Sequence, residues 1–273
     1  MNLDTALSLL GREPDSPLDL AEVALLMART EYADLDVEAY LSELTALAHE
    51  LRGRLRGGLE ARADILCRYL FHDLGFHGNR RDYYDPRNSY LNDVLDRRTG
   101  LPIALSAVAM AVGARAGLTV VGVGLPGHFV AKVVEGGREV LFDPFHGGRR
   151  LTSDECAILV EQTTGVPFQA TPEALRPVPV GLIVLRMLSN LKGVYLRQGD
   201  YPRAVRVIEQ LRLLSPDDVL QRRDLGAALM QAGQPGRALA HLEAYLAGRP
   251  DAGDGDEVRR LLTAARTMVA GWN

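Results

Sequence analysis

Two short motifs bring an acid and a base within reach of one another. Pro126-Gly127-His128-Phe129 and Phe142-Asp143-Pro144-Phe145 flank a valine-rich stretch that turns back at Gly136-Gly137. A two-residue glycine turn there makes a hairpin in which paired residues sum to 273. Phe129, Ala131 and Val133 then stand opposite Pro144, Phe142 and Val140 on one apolar face. His128 and Asp143 share the other face as diagonal neighbours, with backbones roughly 7 to 8 Å apart and side chains able to lean together. An imidazole oriented by a carboxylate is two thirds of a covalent acyl-transfer centre. The remaining third is a thiol at a helix N-terminus, where free N–H groups and the helix dipole favour the anion.

The neighbouring elements are those such a centre needs. After Arg97-Arg98-Thr99-Gly100 a helix opens at Leu101-Pro102, because proline suits a first helical turn. Ile103, Ala104, Ala107, Val108, Ala111, Val112 and Ala114 leave it almost no polar face, so it is expected to be buried on most sides up to a C′ Gly117. Leu118 to Leu125, His128 to Glu135 and Arg138 to Phe145 read as three strands of a small antiparallel sheet. Upstream, Leu18 to Met27, a helix capped by Asp36 and running to Leu55, and Leu59 to Leu74 form a helical layer. Tyr83 to Ser89 is a polar loop whose Asp85, Arg87 and Asn88 either bind in the cleft or tie the loop down, and Ser89 is placed as cap of a short helix through Leu95. Arg97 and Arg98 are candidates to pair with Asp85 or Asp143, or to face solvent.

The other histidines and glycines offer less. His72 and His77 are five apart, which misses the i, i+4 spacing of a helical metal pair, while His49 and His241 are isolated, so no metal site is expected. His146 either lines the same pocket or sits solvated in its turn. Gly122, Gly124 and Gly127 do not open a helix, so no dinucleotide loop and no cofactor is expected.

Beyond Gly165 a proline-containing segment, 167–180, is read as a strap rather than a free tether. Next, Leu191, Tyr195, Gly199, Tyr201, Ala204, Ile208 and Pro216 recur as Leu225, Leu229, Gly233, Pro235, Ala238, Leu242 and Pro250 at a constant offset of 34. That is the tetratricopeptide period. Small residues at Ala204 and Ala238 let paired helices cross closely, and a stripe of Val258, Leu261, Leu262, Ala265 and Val269 reads as a capping helix. Such arrays bind peptides or partner helices; Asn190, Arg197, Arg222 and Arg223 are the candidate contacts here.

The run from Tyr84 through Asn88-Ser89-Tyr90-Leu91-Asn92 and Arg97-Arg98-Thr99-Gly100-Leu101-Pro102-Ile103 to Pro126-Gly127-His128-Phe129 and Phe142-Asp143-Pro144-Phe145-His146-Gly147-Gly148 resembles the bacterial SirB-type transglutaminase-like proteins. The likeness takes in the helical segment before Leu55 and the repeats after the core. It implies an α+β, papain-related core followed by an all-α repeat segment. It also implies that Gly100 matches the helix-opening glycine of active relatives, His128 their catalytic histidine and Asp143 their catalytic aspartate. Pro102 then falls where their cysteine stands, and proline has no nucleophilic atom. Ser106, one turn deeper on the same helix face, is the substitute nucleophile to test. It lies mid-helix, without the terminal N–H donors of an oxyanion hole. Cys67 reads as a buried hydrophobe, and Cys156 follows a capping-box start that would lower a thiol pKa.

The organisation expected is a transglutaminase-like domain over 1–166, the linker 167–180, and a repeat domain over 181–273 with units 185–218 and 219–252. A chain of 273 residues with a net charge of −4 and interspersed signs has no basic stripe, so no nucleic-acid partner is expected. No window suits a membrane span and no charged start precedes Leu7 to Leu10, so neither a membrane nor a signal peptide is expected. Two cysteines agree with a reducing compartment, the cytoplasm. The function expected is noncatalytic protein interaction through the repeats. The alternative is a hydrolase or acyltransferase using Ser106, a cysteine or a water with His128 and Asp143.

Overall fold

The computed structural model describes residues 1–271, so the last two residues of the expected repeat domain lie outside it. Its helices and strands, in chain order, open with α1 (Leu3–Arg12), α2 (Leu20–Ala28), α3 (Val37–Arg54) and α4 (Leu59–Cys67). β1 (His77–Gly78), α5 (Leu91–Arg97), β2 (Thr99–Gly100) and α6 (Pro102–Ala116) follow. Then come β3 (Thr119–Leu125), β4 (His128–Glu135), β5 (Arg138–Asp143), β6 (Arg149–Leu151) and α7 (Ser153–Thr164). The remainder is helical: α8 (Val180–Gln198), α9 (Tyr201–Leu214), α10 (Val219–Gln231), α11 (Pro235–Gly248) and α12 (Gly255–Ala270). It is a mixed α+β fold with an all-helical continuation, as the sequence implies.

The chain divides into two compact units, Pro17–Met187 and a second made of Met1–Ser16 with the residues from Leu188 on. This differs from the boundaries expected at 166 and 181 in two ways: residues 167–187 fall in the larger unit, and α1 falls in the other. In the sequence, Leu7 to Leu10 reads only as a short apolar run. In fact Asn2 caps a helix that buries Leu3, Ala6, Leu7 and Leu10, and a Cβ on Gly11 would come within 2.5 Å of the Leu214 carbonyl oxygen of α9. Backbone contact that close is possible only with glycine.

In the larger unit, β3 to β6 form an antiparallel sheet in sequential order. Glu135 pairs with Arg138 and Ala131 with Phe142, the register that the glycine turn requires. β5 stops at Asp143 and not at Phe145, because Pro144 lacks an N–H and starts a 3₁₀ turn over Pro144–His146 capped by Asp143. On its other edge β5 pairs with β6, where Asp143 stands opposite Arg149.

The two faces of this sheet are covered differently. Val120 meets Gly113 of α6 so closely that a methyl group there would clash. This is the face of Phe129, Ala131 and Val133, and Phe142 packs on Phe71. On the opposite face Val123, Leu125, Val130 and Leu141 form a cluster with Cys156, Leu159 and Val160 of α7 and with Leu175. Leu175 belongs to the proline-containing segment, which behaves as a strap: Val178 N–H donates to the Gly122 carbonyl at 2.9 Å and the buried Lys132 ammonium to the Leu175 carbonyl at 2.8 Å.

α6 begins with Pro102 at its first helical position and ends at Gly117 in the left-handed region, φ 92°. Just upstream, β2 pairs in parallel with β1, His77 with Thr99 and Gly78 with Gly100, a pairing with too few residues to leave a periodic sequence signal. Ser89 does not cap α5. It closes a 3₁₀ turn over Pro86–Asn88 whose cap is Asp85, and Tyr90 stands at the start of α5 with no side-chain cap bond. The expected helix to Leu74 changes pitch at Arg68–Asp73, which is a π-helical turn.

Gly147 and Gly148 both take positive φ, 75° and 72°. A Cβ at Gly147 meets nothing within 4 Å, whereas at Gly148 it would overlap the Phe71 ring and stand 3.0 Å from the Cys67 Cβ. Gly147→Ala is therefore expected to pay only the left-handed backbone penalty, about 1 to 2 kcal/mol. Gly148→Ala adds overpacking, for a total of about 2 to 5 kcal/mol and a melting temperature lower by roughly 5 to 15 °C. Thermal melts of the two variants side by side check the difference.

In the smaller unit the 34-residue recurrence falls on helices: the part of α8 from Leu188 on and α9, then α10 packed on α9 and α11, followed by α12. Gly199 and Gly233, at φ 71° and 70°, make the equivalent turns, and Ala204 and Ala238 are fully buried where the helices cross. Ile208, Leu225, Leu229, Leu242, Tyr245 and Val258 form its core. Among the described residues no helix is long and apolar enough to cross a membrane.

Candidate functional site

β4 begins with His128 and β5 ends with Asp143, and the hairpin register brings them together: His128 Nε2 lies 3.0 Å from Asp143 Oδ2. Both are buried, His128 at 6% exposure and Asp143 at none. A third group joins them. His146 Nδ1 lies 2.6 Å from the same Oδ2, and its ring centroid is 5.7 Å from that of His128. His146 is thus tied to the pair although 29% of its side chain stays exposed, because the 3₁₀ turn curls it back over the carboxylate that caps that turn.

Asp143 is held from both sides. Oδ1 accepts from the backbone N–H groups of Phe145 at 3.0 Å and His146 at 3.3 Å, and Oδ2 accepts from the two imidazoles. Burial alone would raise the carboxyl pKa, but the hydrogen bond and charge of His128, then those of His146, overcome it and hold Asp143 below the usual carboxylate range. The carboxylate is therefore ionised, and Nε2 of His128 and Nδ1 of His146 donate to it. Among the described residues, none hydrogen-bonds His128 Nδ1. One ring nitrogen of each imidazole and a carboxylate oxygen of Asp143 lie within 4.8 Å of one another, a spacing open to a metal ion.

Aromatic rings and backbone ties frame the trio. Phe145 meets both imidazoles edge-on, centroids 6.1 and 5.3 Å away, and Tyr83 stands edge-on to Phe145 at 6.1 Å. Gly78 of β1 lies directly against the Phe145 ring, where any side chain would collide. Arg186, in the first turns of α8, donates to the carbonyls of Leu125 at 2.9 Å and His128 at 2.6 Å, and its guanidinium lies 5.4 Å from the Phe129 ring. This clamps the turn that carries His128. Nothing in its sequence surroundings marks Arg186, because its partners are main-chain carbonyls some sixty residues earlier.

The loop before α5 is tied down from within. The fully buried Asn88 donates through Nδ2 to the carbonyl of Asp82 at 2.7 Å and accepts from Asn79 at 3.1 Å, and its own carbonyl receives the Leu101 N–H at the entrance to α6. Asp85 pairs with Arg87 and, at 3.4 Å, with Arg97, while Arg98 pairs with Glu43. Neither arginine reaches Asp143.

The other candidates are engaged elsewhere. Ser106, buried, donates its hydroxyl to the Pro102 carbonyl at 2.8 Å, the back-bonding expected of a mid-helix serine. Cys67 is pushed up to about 12 by burial. Cys156 also moves opposite to the capping-box expectation: burial, then the charges of Asp143 and Glu155, push its thiol up to about 11. Although Thr152 and Glu155 do form the capping box, desolvation outweighs the helix terminus. In the repeat unit Arg223 is bound to Asp224 and Asp254 and is no free contact.

Comparison with known proteins agrees with this architecture. The transglutaminase-like superfamily matches residues 38–189, and a tetratricopeptide repeat family matches residues 191–263. A UPF0162 protein of Xylella fastidiosa (strain 9a5c) is 37% identical over 250 residues, which cover 90% of this chain and 89% of that one. A UPF0162 protein of Vibrio cholerae is 29% identical over 223 residues, 78% of this chain and 80% of that protein. Human F-box only protein 21 is 31% identical over 144 residues, 50% of this chain and 22% of its own. The chain therefore belongs to the transglutaminase-like superfamily, alongside the bacterial UPF0162 proteins, and carries tetratricopeptide repeats after its transglutaminase-like domain.

Proposed function

We propose that this is a noncatalytic protein-interaction or regulatory protein of SirB type, at work in the cytoplasm. Its transglutaminase-like frame keeps an acid–base pair without a nucleophile, and its repeats meet a protein or peptide partner. The observation that carries the reading is Pro102 at the first position of α6, the place that the resemblance gives to the cysteine. No group nearby takes its part. Ser106 donates to a carbonyl, and both thiols are buried and raised in pKa. A neutral thiol is a poor nucleophile, and an acyl-transfer centre without one has no route to a covalent intermediate. Tetratricopeptide arrays, by contrast, present extended surfaces suited to peptides and helices.

The full-length protein, incubated with an electrophilic acyl probe at neutral pH, is expected to show no labelling above that of His128→Ala. Labelling that vanishes in His128→Ala overturns the reading in favour of a hydrolase or acyltransferase.

A further inference from the structure

We propose that His128, Asp143 and His146 form a binding site for one divalent transition-metal ion of the zinc class. The site is independent of the repeats and of any partner they bind. Two imidazole nitrogens and a carboxylate oxygen, all within 4.8 Å of one another, are a donor set suited to such ions. Zinc holds imidazole nitrogen and carboxylate oxygen at about 2.0 to 2.2 Å, so tetrahedral neighbours stand about 3.3 Å apart. The present separations of 3.0 and 2.6 Å are hydrogen-bond distances on one oxygen. These two open by less than about 1 Å, and the widest donor separation, at most 4.8 Å, closes by up to about 1.5 Å, shifts on the scale of side-chain rotation.

The surroundings are those of a supported ligand set. The backbone N–H groups of Phe145 and His146 fix Oδ1 and so orient the carboxylate whose Oδ2 faces the rings. Gly148 N–H, bonded to the Asp143 carbonyl at 2.8 Å, closes the turn that carries His146. Binding needs no external base when both rings are neutral. Each imidazole shifts its proton to its other nitrogen, Nδ1 of His128 and Nε2 of His146, and turns a lone pair to the ion. Three protein donors leave a fourth position for water, and the half-buried His146, at 29% side-chain exposure, gives the ion its way in. The donor set was hidden in the sequence because its members are 15 and 3 residues apart and lie on a strand, a strand end and a 3₁₀ turn, not one helix.

The test uses the full-length chain, stripped with a chelator and then freed of it. Zinc is titrated against a chromophoric competitor, and cobalt(II) is titrated while its visible ligand-field bands are read. One ion per chain is expected, with nitrogen-ligated low-symmetry cobalt bands. His146→Ala and His146→Asn, the second keeping a donor to Asp143, are each expected to weaken zinc by at least roughly 10- to 100-fold. His72→Ala, a surface histidine outside the trio, is expected to bind as the unaltered chain does. Affinity unchanged in both His146 variants, or lost in His72→Ala, overturns the proposal. Far-UV circular dichroism of the His146 variants separates lost ligation from lost folding. Because the readout needs neither substrate nor partner, its failure leaves the interaction reading standing, and labelling by the acyl probe leaves the metal site standing.

Discussion

Pro102→Cys is expected to turn an unreactive protein into one that alkylates rapidly at neutral pH, in a manner that depends on His128. The first N–H groups of a helix have no intrahelical partner, and α6 opens on Leu101 with no side-chain cap, so those of Ile103 and Ala104 can stabilise an anion against the burial of position 102. A thiol at about 8.5 is about 3% ionised at pH 7, whereas one lowered to about 6.5 is roughly three quarters ionised, a gain of about 25-fold in thiolate. The native cysteines give a quiet background, since burial has pushed Cys67 to about 12 and Cys156 to about 11. Iodoacetamide labelling followed by peptide mass mapping is the measurement, on Pro102→Cys alone and combined with His128→Ala. The single variant is expected to label at residue 102 at least about ten times faster than either native thiol. The double variant is expected to lose most of that advantage. A residue-102 thiol as slow as Cys67, or one indifferent to His128, would mean that Pro102 does not occupy the nucleophile position that the resemblance assigns it.

How much of this was legible in the sequence follows from how local each signal is. The hairpin was, because Gly136-Gly137 fixes a two-residue turn and every later pair follows from it; the His128 to Asp143 contact came with the register. The 34-residue recurrence was legible for the same reason, being a repeat within the chain itself. Four features were not. α1 is an ordinary amphipathic helix whose contact with α9 spans some two hundred residues, and its place could not be read from Leu7 and Leu10 alone. His146 depends on Pro144 ending β5 one residue after Asp143, which converts an expected strand end into a turn that folds the ring back. Arg186 binds carbonyls, and main-chain acceptors leave no mark on residue type. The misplaced cap at Ser89 belongs with these: Asp85, four residues earlier, accepts the Arg87 N–H at 2.9 Å and takes the chain into a 3₁₀ turn first. Where the sequence misled, a local preference lost to a neighbour with a stronger hydrogen bond or to burial, as with the Cys156 thiol.

Asp143→Ala is expected to destabilise the larger unit by about 3 to 5 kcal/mol, the scale for removing one partner of a buried charged group. Four donors converge on this carboxylate, two backbone N–H groups and two imidazoles, and alanine would leave all four facing a fully buried void. Asp143→Asn is expected to lose much less, about 1 to 2 kcal/mol. Its amide oxygen still accepts from Phe145 and His146 N–H, and its two amide hydrogens reach the two rings once each has moved its proton to the far nitrogen. The pair of variants thus separates hydrogen-bond satisfaction from charge. Acid separates them further. Asp143 is depressed below its ordinary 3.8 in the folded protein, so the stability that its ionised form contributes is fully present above that value. It is lost as pH falls toward and through the folded pKa. Asp85, similarly depressed although burial opposes it, through its bonds to Arg87 and the charge of Arg97, adds to the same acid limb. Urea unfolding from pH 7 down to about pH 3 is therefore expected to show the unaltered chain losing stability faster than Asp143→Asn, with the two curves converging in acid. Parallel curves across that range would mean that the carboxylate carries no charge-dependent part of the fold, and that His128 and His146 are held by shape alone.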